Sequence, residues 1–276
     1  MLSYRHAYHA GNFADVLKHV VQVEILRYLS QKQKPIHYID THAGSGLYRL
    51  HQTGLRRAEY LDGVARLERS CFPELQSYFA AIDAAGERLG ETCYPGSPAF
   101  AIHCLRAQDR AWLFELHNNE VNILRQHLAA DNRVKVEHAD GFVGALQRVP
   151  PISRRGLILI DPPYELKEDY ERVLVTLQKM HKRFATGVYA IWYPVVDRSR
   201  IVLLERRLQA CGLGNIQLFE LSVTADTAAR GMTGAGMVVV NPPWALFDYM
   251  QVLLPKLKQV LGQGVGADYR CLQLVD

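Results

Sequence analysis

The chain has 276 residues, of which 49% are hydrophobic and 22% are charged, with 20 glycines and 12 prolines. This composition is typical of a globular enzyme with a sizeable core, and it excludes a disordered tail, a collagen and a coiled coil. The formal net charge of +4 permits a polyanionic partner without requiring one.

No stretch approaches the roughly 18 consecutive apolar residues that a membrane helix needs. The first residues carry neither the apolar run nor the small-residue cleavage site of a signal peptide. The five cysteines are scattered and form no Cys-x-x-Cys pair, which is typical of reduced thiols. We therefore expect a cytoplasmic protein that does not contact a membrane.

Residues 12–30 are predicted to form a helix near the start of the chain. Apolar side chains recur at helical spacing from Phe13 to Val20, and Asn12 is a suitable N-cap. The opposite face carries four polar residues, namely Asp15, Lys18, His19 and Gln22. The pattern by itself favours a solvent-exposed polar face.

Short apolar runs then alternate with longer helical patterns. The predicted strands cover residues 36–40, 111–115, 134–137, 157–161, 188–192, 216–219 and 237–241. Helical patterns such as residues 170–181 and 199–211 lie between most of them. This alternation predicts an α/β fold with a Rossmann-like, mostly parallel seven-stranded sheet that is covered by helices on both faces.

One interval is too long for a simple crossover connection. Residues 41–110, between the first two predicted strands, are more than twice the about 30 residues of a strand–helix–strand unit. They contain amphipathic runs at residues 60–70 and 73–89. We interpret residues 48–94 as a small helical subdomain inserted into a domain made of residues 1–47 and 95–276.

The first predicted strand leads into the glycine loop, Asp40-Thr-His-Ala-Gly44-Ser-Gly46. Glycines let a backbone turn tightly and approach a ligand closely. Arg49 replaces the third glycine of a dinucleotide fingerprint, and no Gly-Lys-Ser/Thr phosphate loop exists. The loop therefore favours a nucleoside-like ligand without a pyrophosphate, such as S-adenosylmethionine (SAM), over an ordinary glycine turn.

Acidic residues end the next two predicted strands, at Glu115 and Asp140. Ligands of open α/β sheets bind beyond the carboxyl ends of the strands. Glu115 can accept hydrogen bonds from two ribose hydroxyls, and Asp140 can accept from an adenine amine, with Gly141 leaving room for the ring. Either acid alone is more often a helix N-cap or a surface residue. Their order on successive strands favours a SAM site.

The fourth predicted strand ends in Asp161-Pro162-Pro163-Tyr164. Two prolines stiffen the turn, so that the Asp161 carboxylate and the Pro162 carbonyl form a pair of acceptors. Such a pair fits an exocyclic amino group, whose nitrogen becomes a better nucleophile toward a methyl group. Tyr164 supplies a face on which a flipped base can stack. The motif resembles the signature of amino-directed N-methyltransferases.

A second match to the same pattern occurs at Asn241-Pro242-Pro243-Trp244. In this fold we expect the fourth strand to lie beside the first, across from the glycine loop, and the last strand toward the sheet edge. We therefore assign the chemistry to Asp161 and a structural role to Asn241.

Several histidines in the first part of the chain invite a metal hypothesis: His6, His9, His19, His42 and His51. A zinc site needs three or four convergent ligands and a supporting shell. No tight spacing motif is present, and we predict no metal.

Further stretches complete a family pattern: residues 1–6, 9–12, 15–19, 40–44, 94–98, 139–142, 153–164, 192–196 and 230–233. Through them nearly the whole chain resembles the RlmJ family of bacterial 23S ribosomal RNA adenine-N6 methyltransferases. The similarity is weakest at about residues 66–90. The resemblance implies a class I SAM-dependent methyltransferase, monomeric, that acts on naked 23S rRNA rather than on assembled ribosomes.

The resemblance also implies roles for individual residues. Asp161 would be the catalytic acceptor, Lys18 would lie near the active site, and Tyr4 would engage the RNA. Contacts to SAM are implied for His19, His42, Ser97, Glu115, Asp140, Gly141 and Asp161, and we place Gly44 beside the methionine end of SAM.

Two other functions stay open at this point. The same chemistry allows methylation of adenine in DNA or of a protein amide. A non-enzymatic alternative is a nucleic-acid-binding module, linked to the use of external DNA, with a degenerate cofactor pocket.

Overall fold

A computed structural model of the protein describes residues 9–50, 58–89, 93–226 and 231–276. Three residues singled out above, Tyr4, His6 and His51, lie outside these ranges.

Strands and helices alternate along most of the chain, as the sequence predicts, although no described helix separates β8 from β9. The described strands are β1 (His37–Asp40), β2 (Leu47–Arg49), β3 (Cys93–Pro95), β4 (Arg110–Glu115), β5 (Val134–His138), β6 (Gly156–Ile160), β7 (Val188–Val195), β8 (Ile216–Ser222), β9 (Gly234–Val240) and β10 (Asp268–Val275). The described α-helices are α1 (Phe13–Ser30), α2 (Gln76–Leu89), α3 (Ser97–Cys104), α4 (Asn118–Leu128), α5 (Gly141–Gln147), α6 (Glu168–Arg183), α7 (Arg198–Ala210) and α8 (Leu246–Leu261).

The main sheet has the strand order β10-β8-β9-β7-β6-β1-β4-β5. The five strands from β7 to β5 in this order are mutually parallel, whereas the pairings of β9 with β7 and β8 and of β10 with β8 are antiparallel. The predicted mostly parallel sheet is confirmed. The count of seven strands is too low, because β10 is an eighth. As a half-exposed edge strand, it lacks the continuous apolar run that marks a buried strand.

Helices cover both faces of this sheet. Helices α1, α3, α4 and α8 contribute to one hydrophobic core, and α5, α6 and α7 to the core on the other face. Because the five parallel strands share one direction, their carboxyl ends meet at a single edge of the sheet, where ligands bind in this class of fold.

Helix α1 begins as predicted, since the Asn12 side chain accepts hydrogen bonds from the backbone N–H groups of Ala14 and Asp15, each at 3.0 Å. The expectation of a solvent-exposed polar face is wrong. The four polar residues of that face are almost completely buried: Asp15 3% exposed, Lys18 4%, His19 0% and Gln22 0%. The reason is that α1 lies against the sheet and contacts α2, α3 and α8 as well.

The inserted segment packs on this same helix. Short 3₁₀ turns occupy Glu59–Asp62, Val64–Arg66, Arg69–Cys71 and Pro73–Leu75 before α2 begins. Buried residues of the segment, among them Phe72, Leu75 and Tyr78, belong to the core that α1 and α3 line. The strands β2 and β3 pair antiparallel at its two ends. The division of the chain at residues 48–94 stays a proposal, and the insertion shares its core with the rest of the fold.

Gly141 begins α5 at a point where the helix touches the glycine loop. A Cβ at this position would lie 1.7 Å from the carbonyl oxygen of Thr41. We expect Gly141→Ala to lower the free energy of unfolding by about 3 kcal/mol, because two backbone segments would have to separate. Gly86 in α2 is the control, since a Cβ there meets nothing within 4 Å.

Gly86→Ala should raise the free energy of unfolding by about 0.5–1 kcal/mol, since alanine is the better helix former. Urea unfolding of both variants and the wild type measures the difference. Equal stability of the two variants would contradict the close contact at Gly141.

Candidate functional site

A cavity of about 470 Å³ lies at the carboxyl ends of the parallel strands. Residues that follow β1, β4, β5 and β6 form most of its wall, together with the start of α1 and residues of β7. All but one of the described candidate residues line it: Lys18, His42, Gly44, Ser97, Glu115, Asp140, Gly141, Asp161, Pro162 and Tyr164. Residues from distant parts of the chain thus meet in a single cavity.

Strand order explains why these residues converge. β1 lies between β4 and β6, so the glycine loop that follows β1 has Glu115 on one side and Asp161 on the other. From β1 the chain adds β4 and β5 on one side and then returns to add β6 on the other side. The carboxyl end of β1 is therefore the topological switch point of the sheet. The predicted position of the fourth strand (β6) beside the first (β1) is confirmed.

On the β4 side, Glu115 is held by two backbone N–H groups. Gly44 donates to its Oε2 at 2.8 Å and His117 donates to its Oε1 at 2.6 Å. Gly44 has a φ of +59°, a conformation that glycine adopts without strain. Burial raises the pKa of Glu115, although these backbone hydrogen bonds oppose the shift.

Asp140 at the end of β5 already has two partners in the protein. Its Oδ1 accepts from the Phe142 N–H at 2.9 Å, which makes Asp140 the N-cap of α5, and its Oδ2 binds Arg172 at 2.5 Å. The Arg172 guanidinium also lies 4.3 Å from the centre of the Phe142 ring. Because a carboxylate has about four acceptor positions, a further hydrogen bond to Asp140 is still available.

His42 follows β1 and lines the cavity, with its ring edge against Phe142 at a centroid distance of 4.9 Å. Burial lowers the pKa of His42 from 6.5 to about 4, so the imidazole is neutral at neutral pH. Its Nδ1 and the Thr41 hydroxyl are hydrogen-bonded at 2.8 Å.

This pKa has a consequence for stability. Because folding lowers the pKa of His42 from 6.5 to about 4, the unfolded chain binds the proton more tightly. The contribution of the neutral ring is complete above pH 6.5 and is lost as the pH falls toward 4. Between pH 7 and 4.5 the wild type should lose about 2 kcal/mol more stability than His42→Gln in urea unfolding. An equal loss in both proteins would contradict the lowered pKa.

A buried network behind the loop connects β1 to α3. The Asp40 carboxylate accepts from the Tyr38 hydroxyl at 2.6 Å and from the Ser97 hydroxyl at 2.7 Å. Gln22 of α1 donates to the Tyr38 hydroxyl at 3.0 Å and to the Ser97 carbonyl at 2.8 Å. Burial raises the pKa of Asp40 to about 6. Spacing arguments had given Ser97 no role, and the network shows how its position on the cavity is fixed.

On the β6 side, the centre of the site is an ion-pair cluster. The Lys18 ammonium donates to Asp161 Oδ2 at 2.7 Å and lies 2.9 Å from Asp15 Oδ1. Burial alone would lower the pKa of Lys18, but the two carboxylates outweigh it and the pKa is raised well above 10.5. Lys18 is therefore a charged group that bridges two acids, and it connects α1 to the end of β6.

Tyr164 lies in the wall beside Asp161 with a left-handed backbone, φ +51°. Its hydroxyl donates to the Trp192 carbonyl at 2.6 Å, and its ring packs on Tyr170 at a centroid distance of 4.6 Å. Trp192 of β7 also lines the cavity. Sequence reasoning missed Trp192 as a site residue, although it lies in one of the family motifs at residues 192–196.

The second match to the Asp-Pro-Pro-Tyr pattern is structural, as expected, but for a different reason. The Asn241 amide donates to the carbonyls of Ala185 and Gly187 at 2.7 and 2.8 Å. β9 is not near the edge of the sheet, because it lies between β7 and β8. It runs antiparallel to β7, so Asn241 lies at the opposite end of the sheet from Asp161.

His19 is the described candidate that does not line the cavity. It is completely buried, its Nδ1 and the Tyr94 hydroxyl are 2.9 Å apart, and its ring lies 4.5 Å from that of Phe100. Its side chain lies behind the wall, among the aromatic residues that join α1 to α3. The implied contact to SAM is therefore not visible in this arrangement and stays a prediction.

Among the residues that the structure describes, no cluster of three or more histidine, cysteine or acidic side chains could hold a metal ion. Within the same ranges, no helix has the length and apolar character needed to span a membrane.

Comparisons with known proteins agree on one family for this chain. A family model described as "Ribosomal RNA large subunit methyltransferase D, RlmJ" matches residues 33–272. The ribosomal RNA large subunit methyltransferase J of Escherichia coli K12 is 48% identical over 264 residues, which cover 95% of this chain and 94% of that protein. Its namesake from Haemophilus influenzae is 46% identical over 274 residues, 97% of each chain.

A solved structure extends the agreement to the fold. A crystal structure of a Legionella pneumophila protein has a TM-score of 0.85 and 34% sequence identity, and the match covers 96% of this chain and 98% of that one. The expected α/β methyltransferase fold is thereby confirmed. From the family model and the two curated relatives together, the chain belongs to the RlmJ family of ribosomal RNA large subunit methyltransferases.

Proposed function

We propose that the protein transfers a methyl group from SAM to N6 of an adenine in 23S rRNA. The observation that carries the proposal is the position of Asp161 and Pro162, which lie across one cavity from the glycine loop and Glu115. Family membership supports a SAM-dependent rRNA methyltransferase of the large subunit. The choice of N6 comes from the two adjacent acceptors, which match the two N–H donors of an amino group.

The residues around the glycine loop fit SAM. Glu115 keeps acceptor capacity for ribose hydroxyls, and His42 and Phe142 place aromatic rings beside Asp140 for a flat base. The loop at residues 40–46 has no lysine or arginine, so it offers no permanently cationic side chain to neutralise a phosphate. When bound, SAM supplies a methyl group on a positively charged sulfur, which is a strong electrophile.

We assign the acceptor chemistry to Asp161 and Pro162. Lys18 binds Asp161 Oδ2, which leaves Oδ1 to accept one amino hydrogen while the Pro162 carbonyl accepts the other. These bonds direct the nitrogen lone pair and stabilise the positive charge that develops as the new N–C bond forms. Asp161 Oδ1 then takes the proton that the methylated nitrogen must lose. Positioning of the two reactants contributes much of the remaining rate.

The proposal extends to the contacts of the other residues. Tyr164 and Trp192 form the wall beside Asp161 and supply aromatic surface for a base taken out of its stack. The contacts of His19 with SAM and of Tyr4 with RNA belong to the same proposal, as do the monomeric state and the cytoplasmic location.

The experiment compares substrates side by side. Labelled SAM is incubated with naked 23S rRNA, assembled large subunits and duplex DNA, and the nucleosides are analysed by mass spectrometry. We expect N6-methyladenosine from the naked rRNA. Transfer to duplex DNA in preference to rRNA would favour the DNA methyltransferase alternative. A failure to bind SAM in calorimetry would favour the binding-module alternative.

A further inference from the structure

One carboxylate of the inserted segment holds the residues that precede α1. Glu59 lies in the first 3₁₀ turn of the insertion. Its Oε1 is 2.9 Å from His9 Nδ1, and its Oε2 accepts from Asn12 Nδ2 at 2.9 Å. Asn12 is at the same time the N-cap of α1. A single side chain thus binds both ends of the turn that leads into the helix.

The backbones of the two segments are also in direct contact. The Val64 N–H donates to the Gly11 carbonyl at 2.8 Å. A Cβ at Gly63 would lie 2.0 Å from that same oxygen, so only glycine permits the approach. The Glu59 contacts therefore belong to a close-packed junction between the insertion and the start of α1.

This junction adjoins the acceptor side of the cavity. His9 and Asn12 line the cavity, whereas Glu59 does not. Helix α1, which follows them directly, contributes Lys18 to Asp161 at the end of β6. Glu115 and Asp140, the residues proposed for SAM, lie on the other side of β1. The wall that Glu59 supports is accordingly on the Asp161 side, where the proposed function places the target adenine.

We propose that Glu59 is a positioning residue for RNA, which fixes His9 and Asn12 at the part of the cavity that the RNA enters. The inference rests on the proposed function and gives the inserted segment a role in it. The hydrogen bonds from His9 and Asn12 outweigh the effect of burial and lower the pKa of Glu59. The carboxylate is therefore charged at neutral pH and accepts from both partners.

Steady-state kinetics with Glu59→Ala tests the proposal. We expect the KM for naked 23S rRNA to rise about 10-fold, as for a loss of about 1.4 kcal/mol of RNA binding. The kcat at saturating RNA and the Kd for SAM should stay within about twofold of the wild type, because the variant leaves the glycine loop and Asp161 in place. A purely structural role would change all three parameters together, lowering kcat and raising both the KM for RNA and the Kd for SAM.

Further variants make the result specific. Glu59→Gln keeps an acceptor for Asn12 in the same shape, so it should fold if Glu59→Ala does not, and its KM should rise less. Glu87→Ala removes an exposed glutamate from α2 of the same insertion and should leave all parameters unchanged. In a His9→Ala background, Glu59→Ala should have a smaller effect than in the wild type, since the two residues act through one contact.

The outcomes separate this inference from the function on which it rests. A wild type that does not methylate rRNA would overturn the proposed function and the role of Glu59 with it. A wild type that methylates rRNA, beside folded Glu59 variants with an unchanged KM for RNA, would overturn only the role of Glu59. A fall in SAM affinity equal to the rise in the KM would overturn it as well.

Discussion

Asp161→Asn is expected to lower kcat for methyl transfer by about 10²–10³-fold. The amide accepts hydrogen bonds more weakly than the carboxylate, and its NH₂ group would oppose the amino group that it has to hold. The fold should survive, because Lys18 keeps Asp15 as a partner at 2.9 Å. Single-turnover transfer from labelled SAM to naked 23S rRNA measures the effect. A variant with wild-type kcat would remove Asp161 from the mechanism.

The second copy of the motif supplies a matched control. Asn241→Ala loses two hydrogen bonds to backbone carbonyls at 2.7 and 2.8 Å and puts alanine at a φ of +54°. We expect it to lower the free energy of unfolding by about 2 kcal/mol. Its kcat per folded molecule should stay within about twofold of the wild type, since Asn241 lies at the opposite end of the sheet. Asp161→Asn is thus expected to lower the activity and keep the fold, whereas Asn241→Ala is expected to lower the stability and keep the activity.

Lys18→Met is expected to have the largest effect on stability, a loss of about 3–5 kcal/mol of the free energy of unfolding at neutral pH. Methionine fills a similar volume but leaves Asp15 and Asp161 without the ammonium between them. Methyl transfer should fall as well, because Asp161 loses the group that orients it. Urea unfolding and the transfer assay measure the two effects.

The pH dependence of this loss follows from the raised pKa of Lys18. The stabilisation is complete below 10.5, the pKa of an unperturbed lysine, and is lost only as the pH rises through the still higher pKa of the folded protein. The wild type should therefore stay more stable than the variant over the range of about pH 6–9. Lys179→Met, at an exposed position of α6, should change stability by less than about 0.5 kcal/mol. A similar loss in both variants would contradict a bridging role for Lys18.

The parts of the fold and site that could be predicted are those with local signals. The apolar runs at residues 157–161 and 188–192 mark buried strands, and the first of them ends in Asp161, a residue whose type is informative. Strand order in an α/β sheet then brings Glu115 and Asp161 to the same edge. For these elements, local pattern and topology were enough.

Other features depend on partners far away in the chain, and no local pattern could reveal them. The polar face of α1 has the same helical spacing whether it meets water or Asp161, and Lys18 and Asp161 are 143 positions apart. Glu59 and Asn12 are 47 positions apart and belong to no shared motif. β10 has the mixed pattern of an edge strand, in which half-exposed residues weaken the signal.

The lining of the cavity has a further consequence for turnover. Among its described residues, six are acidic and two carry a lysine or arginine charge. The acids are Asp15, Glu115, Glu120, Asp140, Asp161 and Asp169, and the two cations are Lys18 and Arg172. A surplus of negative charge attracts a cationic sulfonium and has no such hold on the neutral thioether that remains after transfer. The same surplus repels phosphodiester groups, so the polynucleotide backbone stays outside while an uncharged base enters. The negative charge of the cavity is thereby expected to speed the replacement of the thioether product by SAM and to limit how deeply the nucleic acid enters.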